Sequence, residues 1–286
     1  MKKIVLALFL VFLGSAQGWS RAGELRRIYE PAMTPSDQQA LSEIKRSGVV
    51  SEITRFVNNE FILPDNLHIR LGARRGPLFD NQYGEIDIPY SFITTTRESF
   101  AAAWPNKSKD EIFNATMDVL MHVLMHEMGH ALLDLYGIPA IRNEENEVDD
   151  LAAILLVEMF EDGGKIVLSA AKAFDLQSAR EEVYGRAYMG TEHGQSIERF
   201  RNMACLVYGS NPKTHPELLE NTGLTQDDAE ECTRRYKMRR AYWFDTLGPN
   251  MRNSKRARTS SKLGKDSGKG FWGSVGSTLD KIFDRN

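Results

Sequence analysis

His126 and His130, four residues apart with Glu127 directly after the first, constrain this chain more than any other feature of its sequence. On a helix, residues i and i+4 project from one face, so two imidazoles at this spacing can grip a single metal ion. The flanking residues predict that helix. Ser108 and Glu111 form a capping-box pattern at its start, Ile112, Met117, Leu120, Met121, Leu124 and Met128 supply apolar positions, and Gly137 followed by Pro139 ends it. Glu127 is placed to reach a water on the ion without being a ligand. Zn²⁺ lowers the pKa of such a water, and a neighbouring carboxylate can take its proton as it attacks a carbonyl.

Catalytic zinc usually takes three protein ligands and leaves one place for water. The acidic segment Glu144-Glu145-Asn146-Glu147-Val148-Asp149-Asp150 opens the next helix, after a Gly-Ile-Pro turn that folds it back against the first. Glu145 and Asp149 share a face of that helix. Glu145 is the candidate third ligand, with Glu144 and Glu147 as alternatives. Asp149 is the candidate acceptor for the far nitrogen of a ligand histidine. Two histidines and one carboxylate favour zinc, one ion per chain. His122 precedes His126 by four residues, but two further helical turns carry the outer members of such a row about 12 Å apart. It is expected in the core or behind the ligands.

The first 18 residues read as a secretory signal: Lys2 and Lys3, an apolar run Ile4–Leu13, then Ala16-Gln17-Gly18. The run is half the roughly 20 residues that a bilayer needs. Export, to a periplasmic or extracellular destination, is therefore expected. In an oxidising compartment Cys205 and Cys232 are either a disulfide or two buried thiols. A bridge would contribute roughly 3 kcal/mol on the chain-entropy view.

Residues 19–250 read as one domain and 251–286 as a basic tail without a core. Residues 252–286 hold nine Lys/Arg against three Asp/Glu; with a net charge of −3 for the chain, residues 1–251 carry −9. An acidic body excludes a general nucleic-acid binder, although the tail could touch an anionic membrane or cell-wall polymer. Helices are expected after Thr34, to about Asn59, and at Glu144–Glu161, Lys165–Phe174, Gln195–Val207 and Thr225–Phe244. Leu67–Leu71 and Glu85–Phe92 alternate like strands. Pro89 cannot donate to a ladder, which predicts an edge strand there. Asp87–Phe92, with Ile88 and Tyr90 on one face, is therefore a candidate to pair with an extended peptide substrate. The fold expected is α+β, mostly helical, with a small sheet whose edge strand precedes the metal-binding helix.

The order HEMGH, short turn, ENEVD is similar to the gluzincin-type zinc peptidases, whose pattern is HExxH followed by ExxxD. More closely, HEMGHALLDLYGIPAIRNEENEVDDLAA, then EHGQSIERFRNMACLVYGSNP, then Cys232 and Trp243 resemble the bacterial metallopeptidase family known as domain of unknown function 4344. The resemblance implies a zincin-like fold, a bound zinc, a Cys205–Cys232 bridge, and Arg199 with Asn202 supporting the site from behind. The oxyanion of a peptidase reaction needs a donor. His193, in a polar, Gly-flanked segment, is the candidate, with Tyr188 and Arg199 as rivals. The expected function is an exported zinc metallopeptidase acting on a peptide or protein, with Glu127 as general base. The alternative is a non-catalytic envelope-binding protein on the same fold.

Overall fold

The computed structural model describes residues 22–184, 196–222 and 224–252. The signal segment, His193, Tyr188 and the tail beyond Arg252 lie outside the described residues. In chain order the elements are β1 (Leu25–Tyr29), α1 (Pro35–Ser47), α2 (Val49–Glu60), β2 (Leu67–Leu71), β3 (Leu78–Asp80), β4 (Glu85–Ile88) and α3 (Tyr90–Ala103). They continue with α4 (Lys109–Tyr136), α5 (Glu144–Met159), α6 (Gly163–Tyr184), α7 (Ser196–Ser210), α8 (Glu217–Thr222) and α9 (Gln226–Leu247). The class is α+β and mostly helical, as the sequence predicts.

The helix α4 organises the molecule. Its capping box is present, with Ser108 Oγ accepting from Glu111 N–H and the Glu111 carboxylate accepting from Ser108 N–H. Gly137, at φ 61°, closes it in the left-handed conformation. From Phe113 to Leu133 almost every residue is buried, because α2, α3, α5, α6 and the sheet all pack around this helix. A helix so enclosed can afford apolar residues on all sides, and each polar residue on it is then conspicuous.

The sheet has the order β1-β2-β4-β3, with β1, β2 and β4 parallel and β3 antiparallel to β4. This corrects the reading of Asp87–Phe92 as a substrate-facing edge. β4 is an interior strand paired on both sides, and Ile88 is fully buried. Tyr90 is not in a strand: it opens α3, is buried, and its hydroxyl donates to the Glu30 carbonyl at 2.7 Å. Pro89 interrupts pairing by capping a helix, not by lying on an edge. The outer strands are β1 and β3, and β3, only three residues long, lies against α4.

The Cys205–Cys232 disulfide is present, joining α7 to α9. Among the described residues no helix is long and apolar enough to cross a membrane.

Candidate metal centre

The His126 and His130 rings are 5.0 Å apart between centroids and inclined at 78°. Their Nε2 atoms converge on one carboxylate: Glu145 Oε2 lies 3.4 Å from His126 Nε2 and Glu145 Oε1 3.4 Å from His130 Nε2. All the ligand atoms of this trio lie within 4.8 Å of one another, so one ion can reach all three. The donor set of two imidazoles and a carboxylate suits zinc chemistry.

The outward-facing nitrogens are also held. His126 Nδ1 is 2.8 Å from Asp149 Oδ1, and His130 Nδ1 is 2.7 Å from Glu144 Oε1. An ionised carboxylate only accepts, so each Nδ1 carries a proton, and in the neutral ring each Nε2 would keep a lone pair for a metal ion. One acidic turn thus divides three ways: Glu145 meets the two Nε2 atoms, while Asp149 and Glu144 hold the two Nδ1 atoms. Glu147, the other alternative, is fully buried elsewhere, against Arg142 and Arg239.

Asp149 is itself clamped. Arg199 donates from Nε to Oδ2 at 2.7 Å and from Nη2 to Oδ1 at 2.6 Å, a two-point grip between buried groups. Burial alone would raise the Asp149 carboxyl, but the Arg199 charge and the His126 hydrogen bond overcome it and hold Asp149 well below the usual carboxylate range. The Arg199 guanidinium also covers the Phe174 ring, 4.1 Å from its centroid. Two of the three Arg199 nitrogens are thus turned to Asp149. Asn202 does not join this cluster. Its side-chain oxygen accepts from Arg235 at 2.8 Å, and Arg235 pairs with Asp150, so Asn202 supports a separate ionic network between α5 and α9. Nothing in local spacing separates these two arginine networks; only the packing of α7 and α9 on α5 does.

Close approach of α4 and α5 makes the site possible. A Cβ at Gly129 would sit 3.0 Å from the Val148 Cβ, so glycine at this position of HEMGH lets the two helices nearly touch. Glu127 is buried on the same stretch of α4. His122 lies outside the converging trio; it is fully buried, and burial pushes its imidazole down to about 3, leaving it neutral.

His126 and His130 of α4 and Glu145 of α5 thus form, in a mostly helical α+β body, the kind of donor set that metallopeptidases use. The model of domain of unknown function 4344, described as "putative metallopeptidase", matches residues 29–247, and the chain belongs to that family. No curated protein and no solved structure matches the chain.

Proposed function

We propose that this chain is an exported, zincin-like, zinc-dependent metallopeptidase. The observation that carries the reading is the double occupancy of the imidazoles: both Nε2 atoms meet at Glu145 while both Nδ1 atoms rest on other carboxylates. Histidines arranged only to pack a core have no use for this arrangement. Zinc, when bound by His126, His130 and Glu145, polarises the scissile carbonyl and makes a water acidic enough to attack at neutral pH. Glu127 accepts the proton of the attacking water and returns it to the leaving amine. His193 is the proposed donor to the oxyanion. The free edge of β3, beside α4, offers backbone groups to an extended peptide. The amino-terminal signal pattern and the disulfide support export.

The test is metal content and cleavage of a peptide library by purified mature protein. About one zinc per chain is expected in the parent and in Glu127→Gln, none in His126→Ala, with cleavage falling at least ~100-fold in Glu127→Gln. A parent chain that takes up no zinc at neutral pH overturns the reading.

A further inference from the structure

A cavity of about 250 Å³ lies between α3, α4 and α6. Its wall is largely apolar, built from Phe92 and Phe100 of α3, Val119 and Val123 of α4, and Ala173 and Phe174 of α6. Its polar members are Thr95, Thr96, Ser99, Gln177 and His122. His122 has no solvent exposure, and among the described residues neither of its ring nitrogens has a hydrogen-bond partner. Leaving such a group unpaired in the interior is destabilising, and no described group offsets it.

Helical spacing places the cavity beside the reactive residues. Val123 and His122 lie four residues before Glu127 and His126, so the cavity continues the face of α4 that carries the site. The His122 and His126 rings are 6.5 Å apart between centroids. Phe174, in the cavity wall, also carries the Arg199 guanidinium that clamps Asp149.

We propose that this cavity receives a tyrosine side chain of the substrate, next to the bond that is cut, and that His122 selects it by pairing with the phenol hydroxyl. The proposal rests on the peptidase reading for its substrate, while its recognition chemistry stands on the cavity. An apolar cavity of about 150 Å³ holds benzene, and whole-ligand pockets run from about 300 Å³ upward, so this one suits a single substituted ring. A neutral imidazole offers one donor and one acceptor, and a hydroxyl can serve either. A phenylalanine or leucine side chain would bury against the same wall and leave His122 unpaired. A charged side chain would lose its hydration among these apolar groups.

p-Cresol and toluene, which differ by the hydroxyl, probe the cavity of the full mature chain by ligand-observed NMR without any need for metal. p-Cresol should bind about tenfold tighter than toluene. His122→Phe should abolish that preference, and Ala173→Phe, which fills the cavity, should weaken both ligands. In the zinc-loaded enzyme, matched peptides should show kcat/KM about tenfold higher for tyrosine than for phenylalanine beside the scissile bond. Toluene binding as tightly as p-cresol overturns the proposal on the parent chain alone, whether or not a variant folds. So does a phenol preference that survives in folded His122→Phe. Peptide cleavage without tyrosine preference sinks the proposal and leaves the peptidase reading intact. Phenol preference with no cleavage of any peptide supports the recognition and overturns the peptidase reading.

Discussion

Asp149 and Glu144 do the same chemical job for the two ligand histidines, yet their surroundings differ sharply. The Asp149 side chain is 6% exposed and gripped by Arg199, whereas that of Glu144 is 55% exposed. Solvent screens the exposed pair and weakens it. Asp149→Asn is therefore expected to lower zinc affinity by about 10–100-fold, and Glu144→Gln by far less. A competition titration with a chromogenic chelator measures both; equal losses would show that burial does not govern the orienting bonds. Asp118 makes a different kind of prediction. It lies two helical turns before His126, fully buried, accepting from Ser169 Oγ at 2.7 Å. Burial pushes its carboxyl up to about 7. The folded chain thus keeps a proton that the unfolded chain sheds from about pH 4 upward, so this residue erodes stability as pH rises through that window to about 7, by about 1 kcal/mol per pH unit. Denaturant unfolding of the parent and of Asp118→Asn at about pH 5 and about pH 8 should show the variant gaining on the parent at the higher pH. Parallel behaviour would contradict the raised carboxyl.

Two elements carry the site, and a glycine controls their separation. Gly129→Leu would drive a branched side chain into Val148 and push α5 away from α4. Overpacking of this kind typically costs about 1–3 kcal/mol. It should also cost zinc binding, since Glu145, Asp149 and Glu144 all ride on α5. Calorimetric unfolding with metal analysis tests the pair of effects; a variant that loses stability yet holds zinc normally would separate packing from the site. The strands show where local pattern misleads. Ile86, Ile88, Tyr90 and Phe92 alternate as a strand should, but Tyr90, Ile93, Thr96 and Phe100 are buried at helical spacing in α3. The two periods overlap for three residues, and tertiary packing chose the helix after Pro89. β1 was hidden for another reason: Leu25-Arg26-Arg27-Ile28-Tyr29 does not alternate, and its pairing with β2 is all that defines it. β3 is three residues long, too short for any periodicity.

At the scale of the whole molecule, the disulfide ties the last long helix to the half of the chain that supplies Arg199. It closes a loop of 27 residues, and reducing it or making Cys205→Ser with Cys232→Ser should cost roughly 3 kcal/mol. Unfolding in denaturant with and without reductant checks this, and an unchanged midpoint would mean that the α7–α9 contact suffices alone. That contact is close: a Cβ at Gly209 would lie 2.1 Å from the Cys232 carbonyl oxygen. The local sequence by itself determined the metal-binding helix, its caps, its two histidines and the general-base candidate, because caps and i, i+4 pairs are encoded within one or two turns. It also narrowed the third ligand to one acidic turn and the bridge to one cysteine pair. Only the tertiary structure decided which carboxylate of that turn meets the ion and which orient the rings, because that depends on how α5 sits against α4 at Gly129. It alone assigned Arg199 to Asp149 and Asn202 to Arg235, placed β3 and not Asp87–Phe92 at the sheet edge beside α4, and set His122 in the wall of a cavity. These relations join residues far apart in the chain, and no local period records which distant faces will meet.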